Sequence, residues 1–143
     1  MLSILKRDYN KLEFQRGLIT IANSWATIEY KNKTGRSEAK ITEIIEAHNL
    51  DRLANELNHI TDFIICCGDK ATAAVCALQY KEKLHQDCQI LYVSHLGNQG
   101  LNKTIKESIN GCRIKSSKNK KIQANNRILR LEVVAKKLIE QIK

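Results

Sequence analysis

Phe63-Ile64-Ile65-Cys66-Cys67 is followed at once by Gly68-Asp69 and an alanine-rich segment, residues 71–84. Five uncharged, mostly β-branched or aromatic residues in a row suit a parallel strand covered on both faces. The Gly-Asp pair then opens a helix. Two more runs have the same character: residues 18–22 (LITIA) and 90–93 (ILYV). Helical patterns lie between and after them. Ile41, Ile44, Ile45, Leu53 and Leu57 give apolar spacing broken near His48-Asn49. Ile128, Leu131, Val134, Ala135, Leu138 and Ile142 form a stripe at spacings of three and four, which predicts a last amphipathic helix. Residues 2–14 also read as a helix. Strands alternating with helices predict an α/β three-layer sandwich, a short parallel sheet flanked by helices.

The chain has 143 residues, 43% of them hydrophobic, which suits one domain with one core. There is no proline, and nothing resembles a linker or a repeat. A single domain over residues 1–143 is therefore expected. No apolar run approaches the roughly 20 residues of a membrane span. The start, MLSILKRDYNK, turns charged too early for a secretory signal. A soluble, cytoplasmic protein with no membrane partner is expected. The five cysteines form no C-x-x-C pair, so they read as reduced structural thiols rather than a disulfide framework or zinc site.

Charge is more informative. Of the 24 Lys/Arg and 15 Asp/Glu, residues 103–143 hold twelve basic and three acidic side chains. The whole net charge of +9 therefore lies in that C-terminal part, on an otherwise neutral body. Such a part implies a polyanionic partner, DNA or another nucleic acid. A solvated tail is the alternative. Ser116-Ser117-Lys118-Asn119-Lys120-Lys121 reads as an exposed basic loop, and Lys118, Lys120 and Lys121 are its candidate phosphate contacts.

In open α/β sheets ligands bind at the carboxyl ends of the strands. Asn23 follows the first run, and its amide offers donor and acceptor faces suited to the edge of a flipped base. Capping a turn is its alternative. Gly68-Asp69-Lys70 follows the second run. Ser94-His95-Leu96-Gly97-Asn98-Gln99-Gly100-Leu101-Asn102 follows the third, with Lys103 next. It reads as a flexible loop whose glycines let backbone approach a phosphate, and whose imidazole can donate to a developing anion. An ordinary strand-to-helix loop is the alternative.

Taken in order, ITIANSW, TGRSEAKITEIIEAHNLDRLANEL, FIICCGDKATAAV and ILYVSHLGNQGLNK resemble the uracil-DNA glycosylase superfamily over residues 18–142. The His-centred loop ending in Asn102-Lys103 is similar to that superfamily's, especially in the single-strand-selective monofunctional branch. The resemblance implies a glycosylase-like sheet, base flipping, and hydrolysis of an N-glycosidic bond without metal or cofactor. It implies that Asn23 reads the base and His95 stabilises the departing anion. The loop, with Leu96 or Leu101 as wedge, would enter the duplex. This chain has Leu96-Gly97 where the family usually places prolines and a serine. It also lacks any Gly-x-Asp-Pro-like or Gly-x-Asn-Pro-like stretch before residue 18, so the family's first strand and its water-activating residue have no counterpart here.

Three functions follow. One is a DNA glycosylase acting on uracil or another modified base. The second is an inactive nucleic-acid-binding derivative, or a truncated or split fragment of such an enzyme. The third is a nucleotide-binding α/β protein using Gly68-Asp69-Lys70, although no G-x-x-x-x-G-K-[ST] or G-x-G-x-x-G motif is present. Loss of a central first strand would leave backbone groups unpaired. The gap could be met by re-pairing of residues 18–22 with residues 63–67, by part of residues 1–17 inserted as a strand, or by a strand from a homo-oligomer or second chain. The charges at Lys6, Arg7, Asp8 and Lys11 disfavour the insertion, so re-pairing or a partner chain is expected.

Overall fold

A computed structural model describes residues 19–27, 32 and 35–142. The expected helix over residues 2–14 lies outside them. The described elements are α1 (Ile41–Ile44), α2 (Ala47–Leu57), β1 (Phe63–Cys67), α3 (Asp69–Tyr80), β2 (Gln89–Val93), α4 (Asn98–Thr104) and α5 (Lys120–Ile139). The result is a mixed α/β chain in which β1 and β2 form a two-stranded parallel sheet flanked by helices. The described residues group into two compact units, one over residues 20–90 and one over residues 91–142 with Ile19, the boundary falling inside β2. Among the described residues no helix is long and apolar enough to cross a membrane.

The first unit is built around β1. Ile64 and Cys66 are buried, and Phe63, Ile65 and Cys67 are half-buried, the two-sided covering that an unbroken apolar run demands. Gly68 then adopts φ 95°, a left-handed conformation open to glycine, and caps α3. Ala74, Val75 and Leu78 of α3 pack with Ile44, Leu50, Leu53 and Leu57 into one core. Each fully buried Leu or Val contributes roughly 1.5–3 kcal/mol.

The break between α1 and α2 falls at Ile45-Glu46, ahead of the predicted His48-Asn49, and Asn49 accounts for it. Its side chain is 2% exposed, and Nδ2 donates to the Ile44 carbonyl at 2.7 Å and the Ser24 carbonyl at 2.8 Å. The amide stands inside α2 and satisfies the carbonyl that α1 leaves free. At the start of α1, Glu43 accepts the Lys40 N–H at 2.7 Å and is gripped by Arg36 Nη1 through both oxygens.

Residues 18–22 correct the sequence reading. Leu18 is outside the described residues, and residues 19–22 form no strand. Ile21 is 71% exposed, and only Ala22 and, beyond the run, Trp25 pack against the core. A five-residue apolar run carries no periodicity of its own, so its state is set by whether a neighbour pairs with it. The expected re-pairing with β1 is absent among the described residues: residues 19–22 form no strand, and the β1 ladder runs to β2 alone.

In the second unit, Leu101, Ile105 and Val134 form a buried cluster with Val93, Leu96, Leu131 and Val133 around it. The last helix starts about two turns before the predicted stripe, because Asn119 caps it: its Oδ1 accepts from the N–H groups of Lys121 and Ile122 at 2.9 and 3.3 Å. Ile128, assigned to the core stripe, is 52% exposed, whereas Val134, Ala135 and Leu138 are buried as expected. The other end of the helix is tied back by Gln141, whose amide accepts from the Tyr92 N–H at 2.8 Å and donates to the Tyr92 carbonyl at 2.9 Å.

Candidate nucleic-acid interface

His95 stands two residues past β2 and is exposed. The backbone N–H of Gly97 donates to its Nδ1 at 3.1 Å. A backbone N–H can only donate, so Nδ1 is the acceptor and Nε2 carries the proton of the neutral ring. Nε2 makes no hydrogen bond to a described residue and is left as a donor on an exposed side chain. Both nearby glycines are needed to seat this residue. A Cβ at Gly97 would lie 2.9 Å from the imidazole, and one at Gly100 would lie 2.5 Å from the His95 carbonyl oxygen. The sequence assigned these glycines to close approach by a phosphate; the structure gives them the accommodation of His95.

The rest of the expected loop is ordered differently. Gly97 caps α4, so Asn98, Gln99, Gly100, Leu101 and Asn102 are helical rather than loose, while Ser94 and Leu96 are half-buried in the short connection. Leu101 is 1% exposed inside the cluster with Ile105 and Val134, and Leu96 packs on the same cluster. Leu101 is thus a core residue and is removed as a wedge; its burial is what holds the amide-rich α4 in helical form. Lys103 is exposed on the last turn of that helix.

The basic segment is also partly helical. Lys118 is exposed in the approach to α5, whereas Lys120 and Lys121 occupy its first turn. No acidic residue shares that turn. Two cations therefore sit at the positive end of the helix macrodipole, an unfavourable placement that an anionic partner would relieve. Lys136 and Lys137 lie in the last turn, where the dipole favours them.

Between α4 and α5 lies a cavity of about 260 Å³. Asn98, Leu101 and Asn102 contribute one wall, and Ser116 and Ser117 a second. Gln123, Asn126, Arg127 and Arg130 of α5 close it. No carboxylate lines it. Sequence reasoning placed Asn98 and Asn102 at the interface but missed the α5 residues. Their signal was present: positions 123, 126, 127 and 130 recur at helical spacing and carry only amides and guanidiniums.

Asn23 belongs to the other unit. It is exposed, and its carbonyl accepts from Arg52 Nη2 at 2.8 Å. Its side-chain amide makes no hydrogen bond to a described residue, so it does not act as a turn cap among them. Lys70 pairs with Glu38 at 2.7 Å, which places a carboxylate where a nucleotide phosphate would compete. Among the described residues no three His, Cys, Asp or Glu side chains gather in metal-binding geometry. Compared with known proteins, the chain matches no family model, no curated protein and no solved structure.

Proposed function

We propose that this chain binds nucleic acid through the segment after β2, α4 and the basic helix α5. The observation that carries this reading is the confinement of the +9 net charge to residues 103–143, in the same unit as a polar cavity free of carboxylates. Basic side chains near phosphates supply sequence-independent affinity, and the amides of α4 and the cavity suit sugar, phosphate or base edges.

The finer reading is a uracil-DNA glycosylase-like protein with that superfamily's three-layer sheet architecture. It rests on the order of the four sequence pieces and on His95. A neutral imidazole whose Nε2–H is not engaged by a described residue is suited to donate to the anion of a departing base. Asn23, with its amide unengaged, is the base-reading residue in this proposal. Because the sequence assigns no water-activating residue, weak or no excision is the expected behaviour of the chain alone, and a second chain or copy remains part of the proposal.

The test is incubation with uracil-containing single- and double-stranded oligonucleotides, read by binding and by alkaline cleavage of abasic sites. Binding that weakens with salt supports the broader reading. Excision lowered roughly 10²–10³-fold by His95→Ala, the scale of losing one anion-stabilising donor, supports the finer one. A protein that binds neither oligonucleotide at low salt overturns both.

A further inference from the structure

Arg130 is a buried cation without an anion beside it. It is 5% exposed. Nε donates to the Ile105 carbonyl at 3.0 Å and Nη1 to the Asn126 carbonyl at 3.3 Å. Both partners are neutral, and no described carboxylate lies within ion-pair distance. A guanidinium taken out of water normally has a charged acceptor, because carbonyls alone compensate its desolvation poorly. Nη2 makes no hydrogen bond to a described residue, and the side chain lines the cavity between α4 and α5.

The surroundings complete a donor set. Arg127 lines the same cavity, is exposed, and makes no hydrogen bond through its guanidinium to a described residue. Ser117 Oγ accepts from the Asn119 N–H at 3.1 Å, so its hydroxyl proton remains to be donated. Asn98 of α4 also lines the cavity, and its amide makes no hydrogen bond to a described residue. Two guanidiniums, a hydroxyl and an amide, with no carboxylate to repel an anion, match a tetrahedral phosphate. At about 260 Å³ the cavity is slightly below the usual range for drug-sized ligands and suits a sugar-phosphate.

We propose that this cavity is a phosphate-binding site, with Arg130 as its buried anchor and Arg127 closing over the bound group. The phosphate comes from a nucleic-acid strand or from a free nucleotide; the recognising chemistry is the same. The site itself does not depend on His95 or on the glycosylase reading. Only the strand as source rests on the nucleic-acid proposal.

The test uses the full chain labelled with ¹⁵N and follows the Arg130 Nε–H and Ser117 amide signals. Inorganic phosphate, a 5′-mononucleotide and a short single-stranded oligonucleotide are titrated at constant ionic strength against chloride. Saturable movement of both signals by a phosphate-bearing probe and not by chloride is expected. Arg127→Ala should weaken that binding tenfold or more with the remaining spectrum unchanged. Arg130→Lys, which keeps charge but loses the planar fork, should weaken it at least as much. If Arg130→Lys disturbs the fold, Arg127→Ala decides alone. Movement by the oligonucleotide at far lower concentration than by the mononucleotide assigns the phosphate to a strand; equal potency assigns it to a free nucleotide. Movement by phosphate and mononucleotide with no oligonucleotide binding upholds the pocket and defeats the nucleic-acid reading. Oligonucleotide binding that leaves both signals in place overturns the pocket and spares that reading. Signals that none of the three probes moves, or movement unaffected by Arg127→Ala, also overturn the pocket.

Discussion

Gly100 sits so close beneath His95 that a Cβ there would lie 2.5 Å from the His95 carbonyl oxygen and 2.9 Å from its Cβ. Glycine inside a helix ordinarily costs about 0.5–1 kcal/mol relative to alanine. Here the clash is with backbone, so Gly100→Ala should destabilise the protein, by about 1–3 kcal/mol on the scale of overpacked sites. Gly97→Ala meets only the imidazole, which can rotate. It should leave stability nearly unchanged while breaking the Nδ1 contact. Chemical denaturation separates the two, and ¹⁵N shifts of the ring report the tautomer. A Gly100→Ala variant as stable as the parent would remove the proposed seat.

Affinity for DNA should fall steeply with salt. Lys118, Lys120 and Lys121 are exposed, and no described side-chain hydrogen bond uses them. Replacing all three by Ala should lower the salt slope by about 2–3, at close to 0.7–0.9 per phosphate contact. Thermal stability should not fall, because the first turn of α5 loses two cations that its dipole disfavours. Affinity indifferent to both salt and these lysines would place the polyanion elsewhere or nowhere.

Asn49→Ala should cost about 2–4 kcal/mol, since leaving buried polar groups unpaired costs about 1–3 kcal/mol each. The substitution strips partners from the Ile44 and Ser24 carbonyls and takes an acceptor from Arg52. Urea unfolding with an unchanged slope and a lower midpoint is the expected result.

Burial, reinforced by neighbouring Cys76, Cys67 and Cys88, pushes the Cys66 thiol up to about 12 from an ordinary 9.0. The raised value means that the folded state keeps its proton while the unfolded chain loses it. Stability from this group is complete below pH 9 and declines toward pH 12, by up to about 1.4 kcal/mol per pH unit. Cys66→Ala should flatten that alkaline decline. Denaturation midpoints at pH 8 and pH 10.5 for both proteins provide the comparison.

The sequence made β1 legible to the residue, because residues 63–67 are uninterrupted and bounded by Gly68. Residues 18–22 look the same in sequence, yet the described part of the run, residues 19–22, forms no strand. Composition alone does not say which run finds a partner. Helix α4 was hidden for a different reason: Asn98, Gly100 and Asn102 have poor helix propensity, and tertiary burial of Leu101 overrides it. His95 was legible from its place after a strand. The α5 side of the cavity is less legible, because the polar positions Gln123, Asn126, Arg127 and Arg130 carry no mark in the sequence of which one is buried, and Arg130 is 5% exposed.

The clamp of Gln141 on Tyr92 gives the end of α5 a role in reporting local unfolding. An amide proton in a strand is normally shielded by a neighbouring strand, and its exchange with solvent measures opening of the sheet. The Tyr92 N–H is bonded to a side chain just past the last turn of α5. Its exchange should therefore respond to fraying of that turn, a smaller and faster event, as well as to opening of the sheet. Deuterium uptake at residue 92 consequently tracks whatever loosens or tightens the C-terminal end of the basic helix.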